Sequence, residues 1–308
     1  MAEPTAIQVI LDLNGWQVLA CLFKPLTYGS SFACSGGVLF LAWFSPKLSC
    51  TEAQTIKRFI LCMTASAITF SVIRIALINR MLSGELSEMF NLNMTKVVLN
   101  SSEGTSTCLR LAGLIAIAIL CRSRMQTIER RFAVCGAIIV STSFAWVGHT
   151  NEVIEKYGGS LFPEGLLIFH LIAVSLWLGS LWPLRILTYG DDPVRVAAII
   201  HRFGQLITVV VALLIVAGSS LLWMIVGQPD ALFFSAYGQM AVVKIIWVAL
   251  LLTIAMINKF WLTPLLINGN SNTMTQLKYS INAEIAIAGI ILLVTACFTT
   301  LVGPAESL

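Results

Sequence analysis

Histidines are the residues of this 308-residue chain best suited to chemistry, since only three occur and ionisable groups are rare in apolar segments. His149 ends the segment SFAWVGHT, and His170 lies inside the next apolar segment, GLLIFHLIAVSLWLGSLWPL. A short connection joins the two segments, so both imidazoles can lie at the same end of two antiparallel helices. Two histidines on neighbouring helices can bind copper, zinc or haem iron. The sequence therefore predicts a metal site at His149 and His170, whereas His201 is predicted to lie at an interface.

Lys244 and Glu284 form a second candidate site, because each lies within a further apolar segment. If the two helices are neighbours, an ion pair between these side chains would lower the cost of burying both charges. We favour this structural pair, and a proton or ion relay through Glu284 stays open. Arg74 and Arg110 are predicted to extend their charged ends outward along their aliphatic stems.

Motifs of nucleotide-binding and hydrolytic enzymes are absent from the sequence. There is no Walker A, GxGxxG, GxSxG or HExxH pattern. The eight cysteines are never closer than 12 residues, and the ten methionines are not enriched near the histidines. Both residue types are therefore predicted to fill the interior. We expect a protein that is not an enzyme.

Composition indicates which elements hold these residues. Apolar residues make up 57% of the chain and charged residues 11%, with a mean hydropathy of +0.88. A soluble domain has roughly 25% charged residues, so the chain is predicted to be an all-α, polytopic membrane protein. The net charge of +4 is scattered, which does not favour nucleic-acid binding. A helix needs about 20 apolar residues to cross the bilayer; such spans are predicted at about 16–44, 55–79, 105–121, 131–149, 164–187, 203–226, 236–259 and 280–302.

The connections between these spans predict the orientation. Twelve lysines and arginines lie in the connections after the odd-numbered spans, and three on the other side. By the positive-inside rule, both termini are predicted to lie outside the cytoplasm. The first span contains Pro25, which predicts an interfacial turn followed by a kink. The longest connection, 80–104, is predicted to contain a short amphipathic stretch, and no connection could form a separate domain, so residues 1–308 are one unit.

Several blocks of the sequence also follow the order seen in a known family. The most specific is the element His170-x6-Trp177-x-Gly179, followed later by Tyr-Gly-Gln and Asn-Lys. In these blocks the chain resembles the CopD/PcoD family of inner-membrane copper-resistance proteins. That family often has a histidine near the position of Tyr28, which this chain lacks. The blocks are CLRLAGLIAI at 108–117, SFAWVGHT at 143–150, FHLIAVSLWLGSLWPL at 169–184, HRFGQLITVVVALLIVAGSS at 201–220, YGQMAVVKIIWVALLLTIAMINKFWLTPLL at 237–266 and YSINAEIAIAGIILLVTA at 279–296.

The resemblance implies an eight-span protein of the bacterial inner membrane with both termini in the periplasm. Its implied task is copper import, serving copper homeostasis and resistance, with copper received from a CopC-like periplasmic copper-binding protein. The outer-side histidines of the family correspond to His149 and His170. Two alternatives stay open at this point. One is a b-type haem or quinone redox protein that uses the same two histidines, and the other is a membrane anchor for a periplasmic copper chaperone.

Overall fold

A computed structural model describes residues 15–122, 127–147, 161–190, 192–228, 230–267 and 272–301. Within these residues the chain is helical and has no strand, which confirms the predicted all-α class. Eight long helices follow the predicted spans in order. They are α1 (Gly15–Phe44), α2 (Cys50–Ser83), α3 (Ser102–Arg122), α4 (Thr127–Thr142), α5 (Leu161–Leu187), α6 (Pro193–Val226), α7 (Ala236–Ile257) and α8 (Thr273–Leu301).

Six of these helices are long and apolar enough to cross a membrane: α2, α3, α5, α6, α8, and α7 together with the turns that extend it to Ile267. The helix α1 is long enough, but six glycines and serines between residues 29 and 37 lower its hydropathy. The helix α4 has only 16 residues and continues as a 3-10 turn, Ser143–Trp146. The chain is therefore a multi-pass membrane protein.

Polar caps explain why several helices extend beyond the predicted spans. The helix α2 begins at Cys50, because Ser49 and Glu52 form a capping box in which each side chain bonds the other residue's backbone N–H. Asp192 caps α6, whose first residue is Pro193. The prediction of an interfacial turn before Pro25 was wrong, since α1 is already helical from Gly15 and continues through the proline.

The helix α1 lies at the centre of the fold and packs against α2, α4, α5 and α8. Its closest approach is to α5, where Gly36 meets Gly179 backbone to backbone. A Cβ on Gly36 would lie 2.2 Å from the carbonyl oxygen of Ser175. A second, smaller core joins α5 to α6, α7 and α8 through side chains that include Trp177, Leu214 and Leu251.

The two ends of the bundle differ. We call the end where α1 begins the outer end and the opposite end the inner end, following the predicted orientation. At the outer end, the connection after α2 forms the predicted short helix, Leu92–Leu99, which exposes Leu92 and Val97. At the inner end, Arg195 donates two hydrogen bonds of 2.8 Å to the Glu52 carboxylate and so joins α6 to α2.

Candidate functional site

His170 lies on α5, nine residues after Leu161 and thus ~14 Å from the outer end of that helix. Gly218 of α6 lies eight residues before the end of its helix, and Lys244 of α7 lies eight residues after the start. All three residues are therefore at a similar depth, ~12–14 Å from the outer end. The fold assembles a site from helices that are far apart in sequence.

The His170 ring packs directly on the backbone of α6. A Cβ built on Gly218 would lie 3.3 Å from Cε1 and 3.5 Å from Nδ1 of His170, so only glycine leaves this space for the imidazole. Nδ1 is buried and has no hydrogen-bond partner among the described residues. Ala173 and Trp177, on the same face of α5, belong to the core beneath the ring. An unpartnered buried ring nitrogen is unusual, and an absent ion is one explanation for it.

Lys244 is close enough to the His170 ring to act on it electrostatically. The structure thus brings Lys244 to His170 and not to Glu284. The Glu284 carboxylate instead accepts a 2.8 Å hydrogen bond from Nδ2 of Asn258. Because Asn258 follows Lys244 by 14 residues, the two charges lie ~21 Å apart along α7. The predicted direct pair was wrong: no ion pair between them occurs within the described part of the chain.

His149 lies outside the described residues, so its predicted approach to His170 stays a prediction. His201 is exposed at the inner half of α6, and its Nε2 lies 3.2 Å from Nε2 of Gln205. This position fits the interfacial role predicted for it. Within the ranges that the structure describes, no group of three histidine, cysteine or acidic side chains could hold a metal ion.

Sulfur ligands near the outer end were not predicted from sequence. Met240, one turn before Lys244, is buried and packs against Tyr237 and Cys297. Thioether and thiol groups favour Cu(I) over harder metals. A helical periodicity alone could not have identified this contact, because Cys297 belongs to a helix more than 50 residues further along the chain.

A buried polar cluster occupies the outer half of α1, α2 and α3. Arg110 is only 1% exposed, and its guanidinium donates to Ser106 Oγ at 2.8 Å and Ser143 Oγ at 3.3 Å. Arg74 is also buried and forms a 2.7 Å ion pair with Glu103. The prediction that both arginines extend outward was therefore wrong. Their neighbours are serines and a glutamate that the sequence analysis did not single out.

This cluster is predominantly cationic and is stabilised by aromatic rings. The guanidinium carbon of Arg110 lies 4.1 Å from the centroid of the Phe144 ring, against which the Tyr28 ring packs edge-on. Lys24 donates a 3.1 Å hydrogen bond to the carbonyl oxygen of Thr299 and so joins α1 to α8. Positive charge here disfavours the passage of a free cation through this half of the bundle. The chemistry that suits a copper ion is instead on the side of α5, α6 and α7.

Two family models match the chain and cover both parts of this architecture. Residues 15–153 match the model "Copper resistance protein D-like, N-terminal domain", and residues 197–298 match the model "Copper resistance protein D". A curated relative, the copper transport protein CutJ of Bacillus subtilis (strain 168), is 28% identical over 166 residues. That match covers 53% of this chain but only 29% of the relative. No solved structure matches the chain significantly. The chain therefore belongs to the CopD family of copper-resistance proteins.

Proposed function

We propose that the chain imports copper across the bacterial inner membrane and is not an enzyme. The observation that carries this proposal is the buried Nδ1 of His170, which lacks a hydrogen-bond partner in a chain of a copper-resistance family. A neutral imidazole nitrogen is a common copper ligand. His149 would be a second ligand, and the sulfurs of Met240 and Cys297, nearer the outer end, suit Cu(I).

In this proposal residues 1–308 form one domain with eight spans and both termini in the periplasm. The support is that eight helices follow the predicted spans and that basic residues concentrate in the inner connections. Copper would arrive from a CopC-like periplasmic protein at the outer end. The membrane potential favours inward movement of a cation by ~2.3 kcal/mol per charge per 100 mV.

Cellular copper content tests both the activity and its direction. Cells that contain the chain together with a CopC-like periplasmic partner should accumulate more copper than cells without the chain. His170→Ala and His149→Ala should each lower this gain on the order of tenfold, as loss of a ligand does for other metal sites. His201→Ala is the matched control, because this exposed histidine lies at the inner half, and it should leave the gain unchanged.

Two results would contradict the proposal. A loss of cellular copper would reverse the direction, and an unchanged gain after replacing both His149 and His170 would favour a membrane anchor. An absorption spectrum of the purified protein tests the redox alternative. A Soret band with one haem per chain would favour a b-type cytochrome and contradict copper transport through this site.

A further inference from the structure

A second polar site lies in the inner half of the bundle, away from His170. Glu284 of α8 is 4% exposed, and its Oε1 accepts a hydrogen bond from Nδ2 of Asn258 at 2.8 Å. The other end of the same amide, Oδ1 of Asn258, is buried and has no hydrogen-bond partner among the described residues. Two buried oxygen-bearing groups therefore meet where the hydrogen-bonding capacity of one is only half used.

The backbone is irregular at this point. α7 ends at Ile257, and Asn258 begins a π-helical turn that runs to Leu262. The Thr263 hydroxyl donates a 2.7 Å hydrogen bond to the carbonyl oxygen of Asn258 and closes the wider turn. π-helical turns within α-helices are rare and occur frequently at functional sites. This turn places the Asn258 amide against Glu284.

Hydrogen-bond chemistry decides the state of this pair. An ionised carboxylate only accepts, so it cannot satisfy Oδ1 of Asn258. A protonated carboxyl group donates one bond and accepts another, as the primary amide does, and two such groups can satisfy each other. A buried carboxylate without a cation is also costly, whereas the neutral acid avoids this cost. We infer that Glu284 holds a proton, which it donates to Oδ1 of Asn258, and that this pair is a proton-binding site of the protein.

The charged groups around Glu284 are engaged elsewhere. Arg185 of α5 donates to Oδ1 of Asn282, and Lys259 of the π-helical turn donates to the Thr208 hydroxyl. Lys278, on α8 itself, lies over the Tyr189 ring at 4.2 Å. On α1, which packs against α8, the charged residue is Lys24, at the outer half. No cation among the described residues therefore replaces the proton on Glu284.

A bound metal cation fits this site less well than a proton. Hard cations take six or more oxygen ligands. Here the carboxyl group and the amide Oδ1 are the available oxygens, and the Asn258 carbonyl already accepts from Thr263. Two oxygens suffice for a shared proton but not for such a cation.

Infrared spectroscopy of the full-length protein in lipid nanodiscs tests this inference without copper. At neutral pH we expect one carboxylic-acid carbonyl band that shifts in D₂O and disappears in Glu284→Gln. Asn258→Leu should move the band to higher frequency, because the hydrogen bond is lost. Glu103→Gln is the matched control: its carboxylate pairs with Arg74, so the band should persist.

Thermal unfolding keeps the inference falsifiable if a variant alters folding. Glu284→Gln presents a neutral amide that can also donate to Oδ1 of Asn258, so its melting temperature should equal that of the wild type. The absence of any acid band that depends on Glu284 would overturn the proton site. A large loss of stability in Glu284→Gln would overturn it too, because it would indicate a required negative charge. Sodium-dependent loss of the band would indicate a cation site instead.

Discussion

Gly218 determines how much room the His170 imidazole has. Any Cβ at this position would lie 3.3 Å from the ring, and the two methyl groups of valine would come closer still. We expect Gly218→Val to displace the ring and to reduce copper accumulation to the level of His170→Ala. Because His170 is only half-buried, its ring can move without unfolding the bundle. Cellular copper and the amount of folded protein in membranes measure the two effects separately.

Gly289→Ala is the control for this prediction. Gly289 also lies within a helix, and a Cβ there meets no atom within 4 Å. The variant should accumulate copper normally, with a stability that is equal or higher by about 0.5–1 kcal/mol, since alanine favours a helix over glycine. Normal copper accumulation in Gly218→Val would show that the position of the His170 ring does not matter.

The candidate residues could be predicted from sequence only in part. His170 was identifiable because an ionisable group within an apolar segment is conspicuous. Gly218 was not, since nothing in the sequence links it to a histidine 48 residues earlier. Lys244 and Glu284 were predicted to be neighbours because both lie inside spans. The turns after α7 extend its segment to Ile267, which places the two charges at different depths.

The buried arginines show the same limit. Sequence position predicted the depth of Arg110, which follows the start of α3 by eight residues. It did not predict the face of the helix, because the hydroxyl of Ser143 that accepts from Arg110 belongs to the turn after α4. Only the packing of α3 on α4 shows that the guanidinium points inward.

At the scale of the helices, existence was predictable and the ends were not. All eight predicted spans are helical, because runs of apolar residues are the strongest signal in the sequence. The caps at Ser49 and Asp192 are polar and lie outside any apolar window. As a result α6 has 34 residues and is ~51 Å long, which exceeds the ~30 Å hydrocarbon core.

The contact between α1 and α5 is the tightest in the fold. A Cβ on Gly179 would lie 2.1 Å from the carbonyl oxygen of Phe32, so a side chain there must separate the two helices. Gly179→Ala should lower the free energy of unfolding by about 1–3 kcal/mol, the typical cost of overpacking. Reversible unfolding in mixed detergent measures this change.

Gly165→Ala provides the matched control on the same helix. A Cβ at Gly165 meets nothing within 4 Å, so the free energy of unfolding should not fall. Equal stability of Gly179→Ala and Gly165→Ala would mean that α1 and α5 can separate at no cost, and the close approach at Gly36 would then be unimportant.

At the scale of the whole molecule, the inner end is held together by basic side chains. Arg195 joins α6 to α2 through Glu52, and Arg130 of α4 donates a 3.0 Å hydrogen bond to the Ser45 hydroxyl after α1. The same arginines belong to the excess of positive charge that predicts a cytoplasmic location. Packing at the inner end and orientation in the membrane thus depend on the same residues.

Labelling of single cysteines tests this orientation. Cys50, which is exposed, begins α2 at the inner end, and Asn93 lies in the short helix beyond the outer end of α2. In a background without the other cysteines, a membrane-impermeant maleimide should label the Asn93→Cys variant in intact cells. It should label Cys50 only after permeabilisation, because the positive-inside rule places that end in the cytoplasm.

The connection between α3 and α4 is the most demanding position for this test, because α4 has only 16 residues. At 1.5 Å per residue α4 is ~24 Å long, and the turn Ser143–Trp146 lengthens the segment. If both helices cross, Ser123→Cys should be labelled only after permeabilisation, as Cys50 is. Labelling of Ser123→Cys in intact cells, with Cys50 still protected, would mean that α3 and α4 fold back as a hairpin from the outer side. The chain would then have six spans instead of eight, with both termini still outside the cytoplasm.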